Sequence, residues 1–499
     1  MRRPFIYIIP VLFLVSACEY QFPETTTEYS AGTVNPEVFI SIGGSFSSGI
    51  MDGALYSDGQ KNSFPAILAR QLSLVGGTPF LQPDIGSENG YNWITSTTSQ
   101  TDGRFIYSFY SPLLTSPEKV VTAGEAVGLF NGIKNTLRDF SVPFLKAFRI
   151  DDPSLVSNPF YERMAPDPGN STLLGDALAQ HPTFFLLSIG FDDIMQYAAS
   201  GADGLTDPPS DPEQVNEKDM TPVDLFEQAL NHVISSLMED PETKGIITNI
   251  PDIENIPYFY LYPYNFLKLS NARLIQVNYR YSDFNDAVEI NNMTPDAIKR
   301  PFISMYDNGP GIISAQDVIV IDSTLGDAWY PGGEPLEKYR QLVKNEMVLY
   351  SIPDKMVGSG LGWLDPLAKK YYLSLTEIAF IKARINAFNE RIEQAAQAYP
   401  GRLAVVDMKT LFYRYSQPSI INAYGTPNSP DTFTWDGVSV DFNLGQYGVF
   451  SLDGIFLNPR GQALLANECI KTINSAFQAV IPLVNINDYP GNIFHIDIK

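Results

Sequence analysis

Short apolar runs ending in glycine or a polar turn constrain this chain more than any other feature. Val38 to Ile42, Phe184 to Ile189, Gly245 to Ile250 and Leu403 to Asp407 each have the length of a strand buried on both faces. Helical patterns lie between them. Ser63 to Leu74 carries Ile67, Leu68 and Leu72 at helical spacing. Thr376 opens a stripe of Ile378, Ile381, Ile385, Phe388 and Ile392, and Asn458-Pro459 starts a helix through Val480 with Ala466, Cys469, Ile473 and Phe477 on one face. Strands alternating with helices predict an α/β fold, a parallel sheet covered on both sides. The 499 residues would permit two domains, but no linker or repeat divides the chain. The expectation is one domain over 38–499, with insertions near 201–222, 255–375 and 408–450.

The N-terminus points to export. Arg2 and Arg3 precede an apolar run from Phe5 to Val15, and Val15-Ser16-Ala17 supplies small residues before a cut. The run is shorter than the roughly 20 residues that span a bilayer. Val15-Ser16-Ala17-Cys18 fits a bacterial lipobox, which makes 1–17 a lipoprotein signal peptide and Cys18 the lipidated first mature residue. Residues 18–37, rich in Thr, Glu, Ser and Pro, read as a flexible tether. The expected location is the bacterial cell envelope at the outer membrane, held by acyl chains.

The formal net charge is −23, which leaves no basic footprint for nucleic acid. Of two cysteines, Cys469 alone would remain besides the anchor, so no disulfide framework is expected. Cys469 reads as a small apolar residue on a buried helix face rather than a thiol nucleophile. The acidic stretch from Gly201 to Pro222 does not match calcium-loop spacing and reads as a solvated loop. Tyr258, Phe259, Tyr260, Tyr262, Tyr264 and Phe266 could line a lipid or sugar groove, but core and lid packing is the simpler expectation. No His/Cys metal spacing, phosphate loop or dinucleotide loop occurs, so neither a metal nor a cofactor is expected.

In open α/β sheets, ligands bind beyond the carboxyl ends of the strands. Three loops then matter: Ile42-Gly43-Gly44-Ser45-Phe46-Ser47-Ser48-Gly49, Ile189-Gly190-Phe191-Asp192-Asp193, and Asp453-Gly454-Ile455-Phe456 before the last helix. In this order and spacing they resemble the SGNH/GDSL hydrolases (GDSL-like lipases and acylhydrolases). The stretches Met51-Asp52-Gly53-Ala54-Leu55-Tyr56-Ser57-Asp58-Gly59-Gln60 and Ser63-Phe64-Pro65 are similar to a lipoprotein branch of that family of Bacteroidetes type. The resemblance covers roughly residues 38 to 495. It implies a three-layer, flavodoxin-like sandwich with a central parallel sheet. It further implies Ser45 as nucleophile, exposed on a Gly-rich turn, Asp453 as triad acid, and Gly44 and Gly190 in the loops around the oxyanion.

The same resemblance marks degenerate positions. Phe456 stands where the triad histidine belongs, Asp192 where the oxyanion-hole asparagine belongs, and Phe144 in Val142-Pro143-Phe144 where the family has a glycine. Gly44 replaces the family's Asp or Asn. A serine hydroxyl is a poor nucleophile without a base in reach, and losing that base costs on the order of a millionfold. A carboxylate at 192 accepts where an amide would donate, and losing one oxyanion donor costs about 100- to 1000-fold. The chain has three histidines. His181 belongs to the far end of its strand, His232 to a helix surface, and His495 reaches the site only if the tail folds back. Asp192 or Asp193 could serve as a carboxylate base if burial raised its pKa.

The chain therefore reads as a lipid-anchored envelope protein with a catalytically impaired hydrolase-like domain binding a lipid, acyl or glycan ligand. Two alternatives stand beside it: an active esterase using Ser45 with a non-standard base, and a structural or assembly lipoprotein whose cleft Phe144 and Phe456 fill.

Overall fold

The computed structural model describes residues 28–93, 95–109, 118–306, 314–352, 359–416 and 433–496. The leader, Cys18 and the first part of the tether lie outside the described residues. Among those described, no helix is long and apolar enough to cross a membrane.

The four apolar runs become strands of one parallel sheet: β1 (Phe39–Gly43), β3 (Phe184–Ser188), β4 (Lys244–Thr248) and β5 (Leu403–Val406). A fifth strand, β2 (Asp139–Ser141), pairs with the free side of β1 and is too short and polar to stand out in sequence. The spatial order is β2-β1-β3-β4-β5, with every pairing parallel. This 2-1-3-4-5 order is one of the two common doubly wound arrangements. Consecutive residues of β1 and β3 are all buried, so helices cover both faces.

Helices α1 (Ser45–Ser48) and α2 (Phe64–Leu72) follow β1, and α3 (Asp192–Ala199) and α4 (Val223–Leu237) follow β3. Helix α5 (Leu375–Gln397) precedes β5, and α6 (Pro459–Phe477) is the last long element. Helix α6 packs on α2, β4 and β5, while α5 packs on α3 and α4, where Phe226 and Phe388 stack at 3.8 Å. Cys469 is fully buried in α6.

Three expectations shift at the ends of elements. Ser374, not Thr376, caps α5, because Ser374 and Glu377 form a reciprocal capping box that places Thr376 inside the first turn. Helix α6 stops at Phe477, where Gln478 turns left-handed and Val480 pairs with Ser30. That pairing corrects the tether. From Ser30 the chain is docked, with Thr33 donating to the Phe477 carbonyl and Val34 buried. The 201–222 loop closes on itself, since Asp219 accepts the Leu205 and Asn216 N–H groups.

The long insertion builds a core of its own. Residues between Leu267 and Tyr372, including helices Asn271–Arg280 and Ser282–Met293, form a second apolar cluster. A ribbon of Tyr262–Pro263, Met347–Val348 and Tyr372–Leu373 joins it to the main core. Successive strand side chains point to opposite faces, so Met347 and Leu373 enter the main core while Val348 and Tyr372 enter the second.

Candidate functional site

Ser45 sits at the first turn of α1, immediately beyond the carboxyl end of β1, as the loop pattern predicts. It is not exposed. No part of Ser45 reaches solvent, which corrects the expectation of an accessible hydroxyl. Its backbone N–H donates to Asp192 Oδ2 at 2.7 Å, and its Oγ accepts the Phe144 N–H at 2.8 Å.

Asp192 begins α3, where the helix dipole favours a negative charge. Burial outweighs that preference and raises its pKa to about 7, although the N–H and hydroxyl of Ser45 and the charge of Lys146 pull the other way. Asp193, beside it, is fully buried, accepts the Ala147 N–H, and is also raised, chiefly by burial. The buried Lys146 ammonium donates to the Asp219 carbonyl at 2.7 Å, and burial lowers its pKa against the charges of Asp193 and Asp192. A Cβ on Gly44 would lie 2.0 Å from Asp192 Oδ2. The glycine at 44 and the carboxylate at 192 are therefore one steric arrangement: a larger residue at 44 would expel Asp192 from its place.

Phe144 has φ of +63°, a left-handed conformation that bulky residues rarely adopt. The strain aims the Phe144 N–H at Ser45. The ring, half-buried, tilts against Trp93 at 5.4 Å. On its outer side Phe144 walls a hollow of about 230 Å³ together with Lys146 and Gln196, and Ser45 does not line that hollow.

Among the described residues no side chain links Asp453 to Ser45. Asp453 Oδ1 accepts the Ile455 and Phe456 N–H groups at 2.8 Å each, and Oδ2 accepts the Gly53 N–H and the Ser451 hydroxyl. Four bonds commit both oxygens to holding the turn, while burial raises the pKa. The Phe456 ring packs in a cluster with Phe46 and Phe191, all three pairs lying 4.8 to 6.1 Å apart. The Phe456 side chain is thus enclosed by other rings.

Two of the three histidines stand elsewhere. His181 is exposed before the amino end of β3, and His232 is exposed on α4 with Nε2 2.8 Å from Asp151 Oδ2. The tail does fold back, since Phe494–Ile496 pairs in parallel with Tyr107–Phe109. The His495 side chain lies outside the described residues. Gly190 has φ of +93°, and a Cβ there would lie 2.8 Å from Ile250 and 3.0 Å from Phe226.

Sequence reasoning missed Asp52. At φ of +56° it accepts the Leu452 N–H and the Tyr56 hydroxyl, both at 2.9 Å, and its own N–H donates to Ser451 Oγ. Burial raises its pKa to about 6. With Gly53 bonded to Asp453, Asp52 locks the turn after α1 onto the turn before α6. The Asp52-Gly53 pair was the available signal, since Asp-Gly favours left-handed turns.

Together these groups place a serine, a carboxylate poised near neutrality and one backbone donor in a dry corner. The donor is already spent on the serine, whose hydroxyl reaches no solvent. Among the described residues no three His, Cys, Asp or Glu side chains converge as a metal site. Comparison with protein-family models, curated proteins and solved structures found no match to this chain.

Proposed function

We propose that this chain is a lipid-anchored envelope protein whose domain derives from the SGNH/GDSL ester-hydrolase type and has given up hydrolysis for a binding or assembly role. The observation that carries the reading is the closure of Ser45: the hydroxyl is wholly buried, and Phe456, at the sequence position of the base, is enclosed by Phe46 and Phe191. The 2-1-3-4-5 order, with Ser45 after β1, Asp192 after β3 and Asp453 before α6, supports the ancestry. The basic, apolar and Val-Ser-Ala-Cys segments of the leader support export and lipidation.

The test is labelling with a serine-reactive fluorophosphonate, alongside turnover of short acyl esters. The expected result is no labelling and turnover no higher than that of Ser45→Ala. Labelling that Ser45→Ala abolishes would overturn the reading. The double variant Phe456→His, Asp192→Asn probes the frame, and its ancestry predicts esterase activity above the parent.

One observation favours an active enzyme as the second reading: Asp192, with its pKa near 7, touches Ser45 directly. A carboxylate of that pKa has the proton affinity of a general base. Its Oδ2, however, already accepts the Ser45 N–H, and activity would require Phe144 and its neighbours to open. Ester turnover rising with an apparent pKa near 7 and lost in Asp192→Asn would establish this reading.

A further inference from the structure

Beyond the carboxyl ends of β4 and β5, two positions along the sheet from Ser45, the structure leaves a cleft of about 830 Å³ open between the two cores. Its volume lies within the range of small-ligand sites. Tyr260, Tyr262, Tyr264 and Tyr413 line it, with the amides Asn265 and Asn345 among them. The tyrosines come from three elements: the turn after β4, the joining ribbon, and the helix Met408–Ser416 after β5.

Two of the rings are held in place by neighbours. Tyr262 is stacked on Tyr350 at 5.9 Å and tilted on Phe266 at 5.0 Å, and the Tyr260 hydroxyl donates to the Phe442 carbonyl. Tyr413 keeps 57% of its surface in solvent, a large exposure for an aromatic residue on a core-packed helix. Most charge at the cleft is internally paired. Lys382 Nζ pairs with Glu254 at 2.8 Å, Lys409 with Asp252 at 3.2 Å, and Arg340 grips Glu346. One lining cation, Lys344, stays exposed at the rim without an ion pair among the described residues, and a single solvated ammonium is a weak anchor for an ionic ligand.

The chemistry selects among neutral ligands. A lipid chain gains little from a wall in which four of the five rings carry hydroxyls, Phe259 being the exception, and in which amides are interleaved. A peptide adding as a strand would need backbone donors, yet the ribbon edge lining the cleft is Tyr262–Pro263, and proline has none. A sugar offers both C–H faces for aromatic rings and in-plane hydroxyls for amides and phenols. We infer that this cleft binds a neutral oligosaccharide. The site stands apart from Ser45 and holds whether or not that serine is silent. The hollow of about 620 Å³ beside α2 is a weaker candidate, because its one aromatic, Phe80, is already stacked on Phe39.

Calorimetric titration of the full chain tests the inference, using linear hexasaccharides of α-1,4-glucose, β-1,4-glucose and β-1,4-xylose. Oligogalacturonate, dodecanoate and a neutral hexapeptide serve as contrasts. At least one neutral hexasaccharide should bind with Kd below about 1 mM. Tyr413→Ala and Tyr264→Ala should each weaken it about tenfold, the loss of one ring contact. Ser45→Ala and Tyr279→Ala, the latter on a distant exposed tyrosine, should leave it unchanged. The inference is overturned if no neutral hexasaccharide binds, if the cleft variants bind like the parent, or if one of the contrasts binds more tightly than every sugar. Ester hydrolysis dependent on Ser45 would sink the silent-enzyme reading and leave this one intact.

Discussion

The Ser45 corner and the tyrosine cleft occupy equivalent places, both beyond carboxyl ends of strands in one sheet, yet one is sealed and the other open. The residue types explain the difference. Phe46, Phe191 and Phe456 carry no polar atom, so they collapse together and exclude water from Ser45. The tyrosines around the cleft each need water or a partner for a hydroxyl, and they stay at least partly wet. A doubly wound sheet supplies several positions for a ligand, and the polarity of the rings around each decides which remains available.

The contrast breaks most directly at its sealed side. Phe456→Ala should cost about 3–5 kcal/mol of unfolding free energy, the range for a large aromatic removed from a core, measured by urea denaturation. Tyr413→Ala, on the open side, should stay within about 0.5 kcal/mol of the parent. Comparable losses at both positions would end the distinction.

Next in size is the buried charge. Asp192 rises from 3.8 to about 7 on folding, so the folded chain binds an extra proton between those values. The stability tied to that proton is fully present below pH 3.8 and lost as pH rises through about 7. Asp52 and Asp139, each raised to about 6 by burial, add to the same trend. Asp192→Asn mimics the protonated acid. It should match the parent near pH 4 and exceed it by up to about 4 kcal/mol at pH 8, as read from denaturation midpoints at the two pH values. A gap that does not widen with pH would show that Asp192 is not held as described.

Ser45→Ala removes the acceptor of the Phe144 N–H and leaves that buried donor unsatisfied, a loss of about 1–3 kcal/mol. The smallest effect sharpens the role of Phe144. Both Gly and Ala there lose the contact with Trp93, but only glycine relieves φ of +63°. Phe144→Gly should therefore be more stable than Phe144→Ala by about 1 kcal/mol, and equal stabilities would remove the strain from the account.

Much of the fold was legible in the sequence, because a strand buried on both faces must be apolar throughout and a packed helix must repeat its apolar face. Runs such as Phe184 to Ser188 and the stripe from Ile378 to Ile392 obey those rules and formed where expected. The edge strand Asp139–Ser141 did not announce itself, since its position is set by the free side of β1 rather than by its own composition. The docking of Ser30 on Val480 joins segments 450 residues apart, a pairing beyond any local pattern.

At the candidate site the sequence alone brought Ser45, Asp192, Asp453 and Phe456 to attention through their order, and it set His181 and His232 away from the serine. Local chemistry and spacing carry that much. Tertiary structure alone decided that Ser45 is dry, that Gly44 exists to admit the Asp192 carboxylate, that Asp453 is spent on a turn, and that four tyrosines meet across a cleft. Burial, and with it every shifted pKa, depends on which distant segments exclude water from a group. That is a property of the packed chain and of no residue by itself.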